Sequence, residues 1–361
     1  MVFKERRQRL LEESGADCVL LVNIESSSRP SLIYYTGFTG SFATLFVSLK
    51  GEWLITDPRY TEQASKQTGM EIVEYRAQKR FHEFLSEFVR GHGCKKVGVE
   101  KERLKVSFFE LLSKSLGDVE FVSVDEMIRS HRMMKTEEEL ERIKKAVDIA
   151  QRAFLDLLDF IKPGMKEREA AAYLEYRMKS LGAESIAFET ILASGQRSAL
   201  PHGIASDKVI EEGDVVVVDF GCFYEGYCSD ITRMVSIGEP SEEVLKVHRI
   251  VYEAQNRAIE AARPGMKGKE IDAVARRYIE EHGFGKEFGH GLGHGIGLEV
   301  HEQPSVNRLG ESEIKPGYVF TIEPGIYLEG KFGIRIEEDV VMRENGVEVL
   351  TSLDRNIFVV K

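Results

Sequence analysis

Apolar residues in the first third of the chain fall into short continuous runs and longer helical stripes. The runs CVLLVN, ATLFVSL, EWLIT and KKVGVE predict strands. Segments 3–15, 59–67, FHEFLSEFV and SFFELLSKSL predict helices. Their alternation to about residue 124 predicts a compact α/β domain, residues 1–124. Thr136 and Glu139 then have the spacing of a capping box, in which each side chain satisfies the other residue's free backbone N–H. Leu140, Ile143, Ala146, Val147, Ala150 and Phe154 recur at helical spacing, a core-facing stripe on a helix running to about Phe160. Pro163-Gly164 stops that helix. Residues 125–361 make the second predicted domain, and the fold class overall is α/β (α+β).

The second domain repeats itself. Pro163-Gly164-Met165-Lys166 returns as Pro264-Gly265-Met266-Lys267, and Glu212-Gly213-Asp214 answers to Pro316-Gly317-Tyr318. Each copy leads into a hairpin bearing two acids. In VVVVDFGCFYEGYCSDITR, a tip at Tyr224-Glu225 sets Asp219 opposite Asp230, with Cβ atoms roughly 5 Å apart. In TIEPGIYLEGKFGIRIEEDV, a tip at Gly330 sets Glu323 opposite Glu337. Opposed carboxylates on apolar strands repel and cost desolvation energy. Two such pairs in a duplicated frame make sense if divalent cations neutralise them.

A fifth donor comes from GHGLGHGIGLEVHE, residues 289–302. Gly289, Gly291, Gly293, Gly295 and Gly297 leave one face of this strand without side chains, so that another backbone can approach closely. The opposite parity carries His290 and His294. Imidazole beside carboxylates suits Mn, Co, Fe or Zn better than Mg or Ca.

Composition narrows the class. The chain has 361 residues, 42% hydrophobic and 30% charged, with net charge −11, which argues against nonspecific nucleic-acid binding. No apolar run reaches the ~20 residues of a membrane span. MVFKERRQRLLEESGAD has no signal-peptide core, and Cys18, Cys94, Cys222 and Cys228 are too scattered for a disulfide scaffold. A cytoplasmic protein with free thiols is expected. The glycine run 289–297 lacks phosphate-loop spacing.

The ordered set Asp219, Asp230, His294, Glu323 and Glu337, in VDFG, SDITR, HGLGHGIGLEVHE, TIEPGIY and RIEED, resembles the M24 metallopeptidases of pita-bread fold. It is most similar to their Xaa-Pro peptidases, aminopeptidase P and prolidase. Residues 33–64 look like the amino-terminal domain that these enzymes and the creatinases carry. The resemblance implies two divalent ions per subunit, with Mn or Co favoured and Zn or Fe able to load. Asp219 and Asp230 would chelate one ion, His294 and Glu323 the other, with Asp230 and Glu337 binding across the pair. A shared water would be acidified towards neutrality, with Glu323 accepting its proton. His202, His290 and His301 match positions that orient substrate and shuttle protons, and Arg335 matches an arginine that orients carboxylates. His82, His92, His131, His248 and His282 read as surface residues.

The implied substrates are peptides with proline at the second position, and the implied assembly is a homodimer. Some dipeptidase members carry an arginine just after HE-x-P, suited to a dipeptide's carboxylate, where this chain has Ser305. Arg197 or Arg308 could supply that charge instead. The reading is therefore an Xaa-Pro aminopeptidase, with Xaa-Pro dipeptidase as the alternative. A metal-independent creatinase-like hydrolase and a non-catalytic binding module use the same architecture, and the intact donor set argues against both.

Overall fold

A computed structural model describes residues 2–360. The chain divides into two compact units, Met1–Arg132 and Met133–Lys361. The division read from sequence, after residue 124, falls at the start of a helix, Asp125–Met133, most of which belongs to the first unit.

The first unit runs α1 (Val2–Ser14), β1 (Cys18–Ile24), α2 (Arg29–Thr36), β2 (Phe42–Ser48), β3 (Gly51–Thr56), α3 (Thr61–Thr68) and β4 (Glu71–Glu74). It continues with α4 (Phe81–Gly91), β5 (Lys96–Val99), α5 (Val106–Leu116), β6 (Glu120–Ser123) and α6 (Asp125–Met133). The six strands form one mixed sheet in the order β4-β3-β2-β1-β5-β6. The unbroken apolar runs are central strands: Cys18, Val19, Leu20 and Leu21 on β1 are fully buried, because elements cover both faces of the sheet. Helix α2 was not anticipated, since its sequence RPSLIYYT carries no polar face; six of its eight residues are buried.

The second unit opens with α7 (Glu137–Leu158), whose capping box forms as predicted. Glu139 N donates to Thr136 Oγ1 at 3.3 Å, and Thr136 N donates to Glu139 Oε2 at 2.8 Å. All six stripe residues are buried. Next come α8 (Glu167–Ser180), β7 (Ser185–Ile186), β8 (Ile191–Ser194), β9 (Val215–Phe220), β10 (Cys222–Tyr224), β11 (Tyr227–Cys228) and β12 (Ile231–Ile237). The second half holds α9 (Glu242–Ala261), α10 (Gly268–Glu281), β13 (Gly293–Gly295), β14 (Glu302–Val306), β15 (Val319–Ile322) and β16 (Gly325–Leu328). It closes with β17 (Phe332–Arg335), β18 (Glu338–Arg343), β19 (Gly346–Val349) and β20 (Phe358–Val360).

The sequence repeat is a structural one. Gly164 and Gly265 adopt φ of 89° and 88°, and each donates its N–H at 2.8 Å, to Ile210 O and Ile314 O respectively. Gly213 and Gly317 both sit at φ 88° before their hairpins. Such left-handed positions favour glycine because a Cβ would be strained there. Each half thus places two helices and then an antiparallel hairpin in equivalent order. The hairpin strands β9 and β12 lie in the sheet β20-β12-β9-β8, and β15 and β18 lie in β14-β13-β15-β18-β19. One continuous apolar core, from Val217 and Met234 to Phe320 and Val340, runs through both halves.

Candidate metal centre

The first hairpin differs from its predicted register. Asp219 pairs with Thr232, and Tyr224 pairs with Tyr227, so the tip is Glu225-Gly226. Both tip residues have positive φ, 45° and 81°, the geometry that matches the right-handed twist of the strands. Moving the tip by one residue shifts the partner by two, which preserves side-chain parity. Asp230 therefore lies diagonal to Asp219 rather than opposite it. The second hairpin keeps its predicted register: Ile322 faces Glu338 and Gly325 faces Arg335, with Glu323 and Glu337 between these pairs.

The histidine segment is mostly loop, with Gly293–Gly295 in a strand and Glu302 opening the next one. Its glycines still do what their spacing demands. A Cβ on Gly293 would sit 2.0 Å from Thr321 O, and one on Gly295 would sit 2.1 Å from Gln303 O. Backbone occupies the space a side chain would need, and His294 is carried against β15.

Asp219, Asp230, His294, Glu323 and Glu337 all line one cleft of about 490 Å³, together with His202, His290, His301 and Arg335. Ligand atoms of Asp230, His294 and Glu337 lie within 4.8 Å of one another. His294 Nε2 is 3.7 Å from Asp230 Oδ2 and 3.5 Å from Glu323 Oε1. Its Nδ1 is 3.1 Å from Gly295 O, an acceptor, so Nδ1 carries the proton and the Nε2 lone pair faces the carboxylates. A lone pair turned towards carboxylates is relieved by a cation between them, or by a proton held on one of the acids. Asp219 adds a second sign: Oδ2 accepts from Arg335 Nη2 at 2.6 Å, while the buried Oδ1 has no partner.

Burial and crowding shape the charges. Burial first, then the Glu337 and Asp219 carboxylates, push the Asp230 carboxyl well above its usual range. Burial and Glu337 do the same to Glu323, and burial with Asp219 brings Glu337 to about 8. Without cations the cluster retains protons; the donor set fits divalent ions that would displace them. Burial also depresses His290 and His294 to about 4, and it lowers His301, so all three are neutral imidazoles at pH 7.

Arg335 organises the near wall. Nε donates to Thr232 Oγ1 at 3.1 Å, and Nη1 donates to Tyr327 OH at 2.7 Å and Pro201 O at 3.1 Å. Thr232 Oγ1 in turn donates to Glu337 Oε2 at 2.8 Å. His290 Nδ1 faces Gly291 O at 2.8 Å, which makes it the N–H, so Nε2 accepts from Tyr327 OH at 3.0 Å. One guanidinium thereby holds Asp219, and through Thr232 and Tyr327 it orients Glu337 and His290.

A model of metallopeptidase family M24 matches residues 141–344, and one of the creatinase/prolidase N-terminal domain matches residues 4–134. The chain belongs to family M24. An X-Pro aminopeptidase from Thermotoga maritima has a similar structure, with TM-score 0.93 and 53% identity, covering 98% of this chain and 100% of that one. The prolidase of Pyrococcus horikoshii aligns with TM-score 0.90 and 40% identity over 99% of each chain. The Xaa-Pro dipeptidase of Pyrococcus furiosus is 40% identical over 98% of this chain and all of its own length. The second unit of this M24 protein is accordingly a pita-bread domain.

Other sequence expectations for the metallopeptidase need correction. His82, His131 and His248 are buried rather than surface residues. Each lies on a helix whose polar positions hid the contact: His131 Nε2 bonds Glu13 Oε2 at 2.8 Å, and His248 Nε2 bonds Arg355 O at 2.9 Å. Arg197 is bonded to Glu167 and to Ile204 O, and exposed Arg308 is 3.8 Å from Glu280, so neither lines the cleft. Tyr327 and Asp339 were missed. Asp339 Oδ2 accepts from Asp230 N at 2.9 Å, fixing the backbone behind that carboxylate. The doublet Glu338-Asp339 gave no hint, because only the contact between the two halves, where Glu337 N donates to Thr232 O, brings it beside Asp230.

Proposed function

We propose that this M24 enzyme is a dinuclear-metal Xaa-Pro aminopeptidase, releasing the amino-terminal residue from peptides with proline at the second position. The observation that carries the choice over a dipeptidase is the charge of the cleft wall. Among the described residues that line the cleft, Arg335 is the only arginine or lysine, and it is committed to Asp219, Thr232, Tyr327 and Pro201. A dipeptidase holds a free carboxylate next to the proline and gains from a spare cation there. A longer peptide continues as neutral backbone and needs none. The dipeptidase reading draws on the 40% identical Pyrococcus enzymes.

Asp219, Asp230, His294, Glu323 and Glu337 would hold two divalent ions, Mn or Co suiting one imidazole with four carboxylates. Bound there, the ions would neutralise the clustered acids and acidify a water. Glu323 would accept the proton of the attacking water. His202, His290 and His301 line the same cleft, and in this reading they would face the scissile carbonyl and the leaving proline nitrogen. That nitrogen belongs to a tertiary amide and departs as a secondary amine, so it must receive a proton. The neutral state of His301 lets it hold the carbonyl oxygen as an N–H donor or relay that proton. Both ring nitrogens of His290 are already bonded, to Gly291 O and Tyr327 OH, so that His290 would act through the Tyr327 hydroxyl.

The test is hydrolysis, with Mn or Co restored to stripped enzyme, of matched Xaa-Pro and Xaa-Pro-Xaa peptides and an Xaa-Ala-Xaa control. Cleavage of the tripeptide at the Xaa-Pro bond is expected. Cleavage of the dipeptide alone would replace this reading with the dipeptidase one.

A further inference from the structure

Behind the cleft, helix α10 carries a buried ion pair that the chemistry above does not use. Arg276 Nε and Nη2 bond Asp272 Oδ2 and Oδ1, each at 2.7 Å, a bidentate pair one helical turn apart. The side chains of Asp272 and Arg276 are 1% and 8% exposed. A buried pair of this kind returns little net stability, because desolvation offsets the attraction, and two apolar side chains would serve the core as well. Its remaining hydrogen bonds point to another purpose.

Every one of them goes to the backbone on which His290 is strung. Arg276 Nη1 donates to Phe288 O at 3.0 Å, and Nη2 donates to His290 O at 2.7 Å. Asp272 Oδ1 accepts from Leu292 N at 3.0 Å. The guanidinium lies 4.2 Å from the Phe288 ring centre, and that ring meets His290 edge-on at 5.1 Å. Leu292 passes the constraint onward, because its carbonyl accepts from Glu323 N at 2.7 Å. Gly289 and Gly291 contribute no side chain, so between Phe288 and Leu292, which are anchored in the core, the backbone is held by this pair.

We infer that Asp272 and Arg276 are positioning residues that fix His290 and Glu323 relative to each other. Neither Asp272 nor Arg276 lines the cleft; they clamp the backbone through 288, 290 and 292, and through it both chemical groups. The inference rests on the peptidase reading for its consequence in turnover, but not for its geometry.

The experiment uses the full-length protein in three forms: wild type, D272L/R276M, and R276K. The double variant replaces the pair with apolar side chains and keeps the core filled. Melting temperature and metal content of each are measured first, then kcat and KM on Xaa-Pro-Xaa. Side-chain nitrogen resonances are recorded on histidine-labelled protein. The expected result is a folded, metal-retaining double variant whose kcat falls about 100-fold, as for a catalytic group misplaced by roughly 1 Å, while KM changes less than 3-fold. R276K, which can still reach Asp272 and one carbonyl, should recover part of that loss. The His290 nitrogen resonances should shift in the double variant, while those of His82, which belongs to the other unit, stay fixed.

A folded double variant with wild-type kcat and unmoved His290 resonances would overturn the inference. A double variant that fails to fold passes the decision to R276K, where unchanged kcat and unchanged His290 resonances would overturn it equally. If wild type itself cleaves no Xaa-Pro peptide, the peptidase reading fails, and the His290 resonances alone decide the positioning role.

Discussion

Replacing Gly293 with alanine tests how the glycine spacing builds the metal cluster. The added Cβ would lie 2.0 Å from Thr321 O and 2.7 Å from Thr321 C, both backbone atoms of β15. Carbon and oxygen approach to about 3.3 Å at closest comfort, so the strands must part by roughly 1.3 Å. That displacement strikes the bond from His294 N to Thr321 Oγ1 at 3.2 Å and the bond from Glu323 N to Leu292 O at 2.7 Å. Overpacking costs about 1–3 kcal/mol, and two weakened hydrogen bonds add about 1–3 kcal/mol. At about 2–4 °C per kcal/mol, the melting temperature should fall by roughly 5–20 °C. A shift of this size between His294 and Glu323 should also cost about 100-fold in turnover. Gly289→Ala is the matched control, since nothing lies within 4 Å of its added Cβ and its φ is not left-handed; it should melt within about 1–2 °C of wild type. The assay is thermal unfolding, metal content after desalting, and kcat on Xaa-Pro-Xaa for both variants. Wild-type stability and turnover in Gly293→Ala would refute the close-approach argument.

Metal removal should reverse the pH response of stability. Glu337 folds with its carboxyl raised to about 8, so its contribution is complete below about 4.5 and is lost as pH rises through 8. The buried neutral histidines act in the opposite direction, but their effect is complete above about 6.5. Between pH 6.5 and 8 the metal-free protein should therefore melt lower as pH rises, by up to about 1.4 kcal/mol per pH unit for each carboxyl still protonated. The metal-loaded protein should not, and a flat or rising metal-free profile would count against the buried-carboxyl cluster. Tyr327→Phe removes the hydroxyl between Arg335 and His290, leaving half-buried His290 Nε2 without that partner while Arg335 Nη1 keeps Pro201 O. It should cost about 1–3 kcal/mol in unfolding free energy and lower kcat more than it raises KM; unchanged melting and kcat would show that the link is idle.

What the sequence revealed and what it hid follow from how local each signal is. The capping box at Thr136 and the stripe from Leu140 to Phe154 depend on residues a few positions apart, and both stand in the structure. The repeated Pro-Gly-Met-Lys segments were legible because left-handed glycines leave little choice of residue. Parity carried the acidic hairpins: the first tip was misplaced by one residue, yet Asp219 and Asp230 still line the same cleft. Gly226 was the overlooked turn signal, being the residue that adopts positive φ without strain. Long-range polar contacts were not legible. Tyr327 stands 37 residues from His290 and Asp339 stands 109 from Asp230, and neither pairing has any periodicity to betray it. Buried His131 and His248 failed for the same reason, since each is excused from the surface by a partner about a hundred residues away.

The most direct test of the central claim is a metal titration of stripped enzyme, followed by the rate of Xaa-Pro-Xaa hydrolysis, in wild type, Asp230→Ala and Glu337→Ala. The expected wild-type result is negligible activity without metal and a rate that saturates at two equivalents of Mn or Co, with both variants inactive throughout. Full hydrolysis by exhaustively chelated enzyme, or wild-type rates in either variant, would contradict the assignment of these side chains to a dinuclear metal centre.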